Sequence, residues 1–167
     1  MLPQLIWEKR PFEIRNLLNP AFCAILLYNA IEGYFQESDK RGMPYPLIFL
    51  ILPLVLHKAT RESLPQRIDA NFDKWIQDDP QNFISFWERV HFLNAYTKEA
   101  IIFGMQYDCF KIRENGYLFT YNLSSPKTIW NEKSESMQCY ESANFIGRWF
   151  ADTGAPATIF RILGVRP

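Results

Sequence analysis

The stretch MPYPLIFLILPLVLHKATRESLP, Met43 to Pro65, constrains the fold more than any other part of the sequence. Leu47 to Leu56 is an unbroken run of ten apolar residues that stops at a basic, polar segment. A membrane-spanning helix needs roughly 20 such residues. Pro53, in the middle, removes a backbone donor that lipid cannot replace. The run therefore predicts a helix buried in protein. Pro46 suits its first position because proline's fixed φ matches the first helical turn. Pro53 is expected to kink the helix or divide it. The opening MLPQLIWEKRPFEIRN carries charges where a secretory leader would have its apolar core, so no leader is expected there.

Such a helix needs a core to fill, and the composition supplies one. Of 167 residues, 48% are hydrophobic and 16% aromatic, a globular rather than a disordered balance. The length predicts a single domain over 1–167. Eighteen basic residues meet eighteen acidic ones, so the basic excess of a dedicated nucleic-acid binder is absent. Cys23, Cys109 and Cys139 lie far apart with no CxxC spacing. That argues against a disulfide framework or a zinc site and for a reduced, cytoplasmic protein.

The remaining pattern is mainly α. Helices are expected within 11–57. In NPAFCAILLYNAIEGYF, Asn19 is a good N-cap and Pro20 a good first residue. Phe22, Ile25, Leu26 and the Ile31–Phe35 region fall roughly on one face, and the charged QESDKRGMP ends the helix. Ile68, Phe72, Trp75 and Ile76 have amphipathic helical spacing. Asp79-Pro80 starts another helix, with Phe83, Phe86, Trp87, Val90 and Leu93 on its buried face. After Asn94-Ala95-Tyr96, Thr97 is placed to cap a third, KEAIIFGMQY. CFKIRENGYLFTY alternates on both sides of Asn115-Gly116, the preferred centre of a type I′ hairpin turn. Helices, tight turn, helix, then hairpin is the order of a winged helix-turn-helix, expected over about 66–121. Residues 122–138 read as an irregular polar linker. Over 139–167 a last amphipathic helix, stopped by Gly154, precedes a short apolar tail.

Chemistry is sparse. His57 and His91 have no metal-ligand spacing, and each is expected to be an ordinary, partly exposed histidine. Asp78-Asp79 reads as a helix cap before Pro80 rather than a catalytic pair. Ser124-Ser125 lacks a GxSxG elbow, and no GxxxxGK[ST] loop exists. No catalytic, cofactor-binding or metal residue is assigned, and the chain is not expected to be an enzyme. Lys98, Lys111 and Arg113 are candidates for contacts with nucleic-acid phosphates. Glu99, Asp108 and Glu114 cancel them between residues 95 and 121, so protein docking is favoured over DNA. After the apolar run, His57, Lys58 and Arg61 suit the C-terminal end of a helix dipole or a partner. Arg61 suits a carboxylate contact, internal or across an interface.

Taken in order, RNLLNPAFCAILL, LIFLILPLVLHKATRESLP, TKEAIIF, IGRWFA and IFRILGVRP resemble the middle component of bacterial three-component ABC systems, over residues 11 to 167. NPAFCA and LPLVLHKATRE are the most specific pieces. The family is similar to the small accessory subunit of Lamassu-type defence systems, which act against phage and plasmids. The resemblance implies a non-catalytic adaptor lying between an SMC/Rad50-like ABC ATPase and an effector, often nuclease-like, with DNA met indirectly or weakly and no membrane. The alternative is a winged-helix DNA-binding regulator. In the tail, Ile159 and Ile162 are expected to dock on the protein's own core. Phe160, Arg161 and Arg166 are expected to face the ATPase.

Overall fold

The computed structural model describes residues 11–121 and 130–164. It is mainly helical with one small antiparallel sheet. After a single-turn helix α1 (Phe12–Leu17), the chain enters α2 (Pro20–Glu37), the centre of the molecule. The start of α2 is as the sequence requires: Asn19 Oδ1 accepts hydrogen bonds from the amides of Ala21 at 2.8 Å and Phe22 at 3.4 Å. The single apolar face is not observed. Cys23, Ala24, Leu26, Leu27, Tyr28, Asn29, Ala30 and Ile31 are consecutive or nearly so and all buried, while Phe22, Ile25 and Phe35 are only half-buried. A helix apolar all round is one enclosed on most sides.

Its main neighbour is α7 (Glu135–Thr153). Ser134 caps α7, its Oγ accepting from the Met137 amide at 3.2 Å, and Gly154 ends it at φ +118°. Helix α7 therefore begins inside the segment read as linker. The rest of that reading, residues 122–129, lies outside the described residues. Where α2 crosses α7 the backbones touch. A Cβ on Gly147 would stand 2.0 Å from the Ala30 carbonyl oxygen, and one on Gly33 2.3 Å from that of Asn144. Asn29 Nδ2 donates to the Tyr140 carbonyl at 2.6 Å, so the buried amide is partnered across the crossing.

The apolar run forms α3 (Ile48–Val55), entered through a 3-10 turn, Tyr45–Leu47, that holds Pro46. Every α3 residue except Phe49 is buried, against α2, α6 and α7. Pro53 lies inside the helix, which stops two residues later. The chain then restarts as α4 (Lys58–Glu62). Helix α5 (Phe72–Asp78) is capped by Asn71, whose side chain accepts from the Lys74 amide at 2.8 Å, so Ile68 lies before the helix rather than in it. Phe72 and Trp75 pack edge-on or tilted against Trp149 of α7 at 4.8 and 5.1 Å between ring centroids.

Helix α6 runs without interruption over Phe86–Gln106. The winged helix-turn-helix expected over about 66–121 is not confirmed, because the turn expected at Asn94-Ala95-Tyr96 is absent. Those residues contain no glycine or proline to break a helix, and Thr97, fully buried, continues it instead of capping a new one. The hairpin does form, from β2 (Phe110–Ile112) and β3 (Tyr117–Thr120). A third strand, β1 (Met43–Pro44), pairs on the other side of β3, giving the order β1-β3-β2. Its proline sits on an edge strand, where no ladder donor is lost. The hairpin turn differs from the type I′ expectation. The Gly116 amide donates to the Arg113 carbonyl at 2.9 Å, the Arg113 amide donates to the Tyr117 carbonyl at 3.0 Å, and only Gly116 has positive φ. This is a three-residue loop, a type I turn closed by a left-handed glycine. The last helix, α8 (Pro156–Ile162), folds back on the core through Ile159 and Phe160.

Candidate functional site

Helix α6 buries Phe86, Val90, Leu93, Thr97, Ala100, Ile101 and Gly104. This set recurs at three- and four-residue steps and faces α2 and α3. The opposite face should be polar. It carries instead Trp87, Phe92, Ile102 and Met105, each at least 42% exposed, with Ile84 just before the helix at 68%. Trp87, His91, Ala95, Lys98, Ile102 and Met105 follow one another at steps of three or four and so form one stripe. Twenty-one residues of helix make this face about 31 Å long. An isolated surface leucine or isoleucine is ordinary, whereas several large side chains aligned on one helix face mark a contact surface. Trp87, expected on the buried face, is exposed. The signal that separates it from Phe86 is the step from Phe86 to Val90, Leu93 and Thr97, which excludes position 87.

The residues singled out after the apolar run are engaged within the chain. His57 is the N-cap of α4: its Nδ1 accepts from the Thr60 amide at 3.3 Å and lies 2.7 Å from Thr60 Oγ1. Burial first, then the Arg89 and Arg61 guanidinium groups, holds the His57 imidazole below its ordinary pKa and favours the neutral acceptor the cap requires. Arg61 is buried. It donates through Nη1 to the Val55 carbonyl at 2.8 Å and through Nη2 to Glu135 Oε1 at 2.7 Å. It thus ties the end of α3 to the first turn of α7. Lys58 is exposed, 3.8 Å from Glu62 in a surface i,i+4 pair.

In the tail, Ile159 and Phe160 are both buried and Ile162 is half-buried. The core has taken the Phe160 side chain that the sequence reading turned outward, because α8 presents positions 159 and 160 together to α7 and its neighbours. Arg161 is exposed, and Arg166 lies outside the described residues.

Lys111 and Arg113 project from the hairpin. Lys111 Nζ lies 4.9 Å from the Tyr121 ring centroid, and the Arg113 guanidinium 3.8 Å from that of Phe119. Lys98 is exposed on α6 and lines neither of the clefts beside the hairpin. With α6 continuous, no separate recognition helix precedes the hairpin.

Among the described residues, no group of three His, Cys, Asp or Glu side chains is placed to hold a metal ion. All three cysteines are unpaired, and burial pushes the Cys23 thiol up to about 12, the Glu99 and Cys139 charges adding to it. Burial raises Cys109 and Cys139 as well, so these thiols are far from the thiolate form a nucleophile needs. No described helix is long and apolar enough to cross a membrane.

The family model described as ABC-three component (ABC-3C) system Middle Component 3 matches residues 7–167. No curated protein and no solved structure matches the chain. With nearly its whole length matched, the chain belongs to this family of ABC-three component system middle components.

Proposed function

We propose that this middle component is a non-catalytic adaptor that links an SMC/Rad50-like ABC ATPase to a nuclease-like effector in an anti-phage or anti-plasmid defence complex, and that the outward face of α6 docks the ATPase. The observation that carries the reading is the exposed set Trp87, Ile102 and Met105, aligned on one stripe of the longest helix of the fold, with the exposed Phe92 to one side of it. A middle component of a three-component system has protein partners, and this face is built for one. A straight stripe about 31 Å long suits a helix of the partner laid along α6, ridge into groove. Trp87 supplies the kind of large aromatic anchor on which interface energy concentrates. Lys98 lies within the stripe and the exposed Glu88 beside its first turn, so the two charges fix direction rather than add bulk affinity. Lys58 and Arg161, both exposed, are further candidate partner contacts of this reading, as is Arg166, which lies outside the described residues.

The test is co-expression of this chain with the ATPase and effector encoded alongside it. Trp87→Glu combined with Ile102→Glu is expected to lose the ATPase, keep the effector and melt cooperatively near the wild-type temperature. Retention of the ATPase by that folded variant would refute the docking face. Loss of the effector alone would assign the face to the other partner.

A further inference from the structure

A second surface lies on the other side of the hairpin. The segment from Ser38 to Gly42, between α2 and β1, folds over β3 and bounds a cleft of about 670 Å³, with the α7–α8 junction as its far wall. Lys40, Arg41 and Arg113 line it, together with Tyr34, Tyr117 and Phe119. A smaller cleft of about 350 Å³ continues past Lys40, Arg113 and Phe119 to Lys111. None of these four cations forms an ion pair among the described residues. The acid at the edge, Glu32, accepts a hydrogen bond from the Thr120 hydroxyl instead. Cations gathered on one concave wall repel one another, and an anion bound between them relieves that repulsion.

The loop is held in place before any ligand arrives. Ser38 Oγ donates to the Arg41 carbonyl at 2.8 Å, and Arg41 Nε donates to the Ser38 carbonyl at 2.9 Å. The Lys40 amide donates to the Phe35 carbonyl at 3.1 Å. Asp39 and Lys40 both occupy the left-handed region, at φ 54° and 62°. That costs roughly 1–2 kcal/mol for each non-glycine residue. Gly42 lets this strained loop lie directly on the sheet, since a Cβ there would meet the Phe119 ring at 2.5 Å and the Leu118 carbonyl oxygen at 2.7 Å. The Arg113 guanidinium lies over the Phe119 ring, which holds it at the cleft wall, and a guanidinium is suited to forked recognition of a phosphate.

We infer that this cleft binds a nucleotide, with its phosphate between Lys40, Arg41 and Arg113 and its base against Tyr117. The volume exceeds what a lone phosphate needs and falls in the ordinary range for a small-molecule site. Tyr117 is 37% exposed at the cleft wall and offers a ring face for stacking. The nucleotide can be free in solution or part of a single strand, and the chemistry of the contact is the same. This site is separate from the α6 face and does not depend on the adaptor reading.

Calorimetry or fluorescence anisotropy on the full chain tests it, with ATP, dTMP, inorganic pyrophosphate and a short labelled oligothymidylate as the probes, at physiological salt. A nucleotide or the oligomer is expected to bind, and Arg113→Gln and Lys40→Gln are each expected to weaken it by roughly tenfold. Lys40 is exposed and needs no refolding, so its variant keeps the test valid if the hairpin tolerates the change at Arg113 poorly. Lys58→Gln, remote in the fold, is expected to bind as wild type. Binding of the mononucleotides assigns a soluble ligand. Binding of the oligomer alone, with log K falling by roughly two units per decade of salt for three phosphate contacts, assigns a strand. No binding of either class, binding untouched by both substitutions, or pyrophosphate bound as tightly as ATP would overturn the inference.

Discussion

Gly147→Ala puts the α2–α7 crossing to its hardest test, because two physical effects predict opposite signs. In an exposed helix, replacing glycine by alanine stabilises by about 1 kcal/mol through backbone entropy. Here the new Cβ would stand 2.0 Å from the Ala30 carbonyl oxygen, 2.8 Å from its carbon and 3.0 Å from its Cα. All three are backbone atoms of α2, so no rotamer change relieves the clash, and the helices must part. Overpacking of this kind costs about 1–3 kcal/mol. Parting the helices also stretches the 2.6 Å bond from Asn29 Nδ2 to the Tyr140 carbonyl. Leaving that buried pair unsatisfied adds about 1–3 kcal/mol. Against the gain in propensity, the net expectation is a loss of about 3 kcal/mol. For a chain of this size that lowers Tm by roughly 6–12 °C. Thermal unfolding followed by circular dichroism reads it directly. A Gly147→Ala variant as stable as wild type would show that the two backbones do not approach as described.

Gly116→Val should lose about 1–2 kcal/mol, because a β-branched residue resists the φ of +78° that closes the hairpin; an unchanged Tm would contradict the turn. Thr97→Val is expected to stabilise by about 1 kcal/mol, since the Thr97 hydroxyl is fully buried with no hydrogen-bond partner among the described residues, and a drop in denaturation midpoint would show that the hydroxyl is in use. His57 has its pKa lowered from 6.5 in the folded state, so the unfolded chain binds the proton first as pH falls. Stability should therefore decline below about pH 6.5, and His57→Asn, which keeps an N-cap acceptor, should flatten that part of the pH–Tm curve; identical slopes would refute the assignment.

The sequence announces the helices through local chemistry that the fold obeys. Asn19-Pro20, Pro46, Gly154 and the alternation around Gly116 all act where they stand, because capping and turn formation depend on a few neighbouring residues. What stays hidden is whatever depends on the rest of the chain. Helix α2 reads as having one apolar face only if its alanines, cysteine and asparagine are taken as neutral, yet enclosure by α3, α6 and α7 buries Cys23, Ala24, Asn29 and Ala30. Asn94-Ala95-Tyr96 resembles a turn beside Thr97, and the burial of Thr97 under α2 and α3 keeps the helix running. Strand β1 has two residues, and no periodicity exists in two residues; its pairing follows from the position of β3. Phe160 lay in an apolar tail with no periodic partner, so nothing local assigned it to core or surface.

The distribution of function over the surface follows from that enclosure. Helix α3 spends nearly all its side chains on the interior and α2 more than half, and α7 gives its larger ones to the α2 crossing and to the aromatic cluster with Phe72 and Trp75. The basic segment after the apolar run, the obvious candidate in the sequence, is likewise consumed: Arg61 holds α3 to α7, and His57 caps α4. Partner contact is left to elements attached on one side only. Helix α6 has a buried face and an unburied one that are both apolar, and the Ser38–Gly42 loop with the hairpin gathers cations that no internal acid answers. A search by local sequence favours charges beside the longest apolar run, because charge and hydrophobicity are visible one residue at a time. The α6 stripe becomes legible only when the alternative face at positions 86, 90, 93 and 97 is known to be filled. The cleft becomes legible only when Lys40 and Arg113, more than seventy residues apart in the chain, are brought to the same wall.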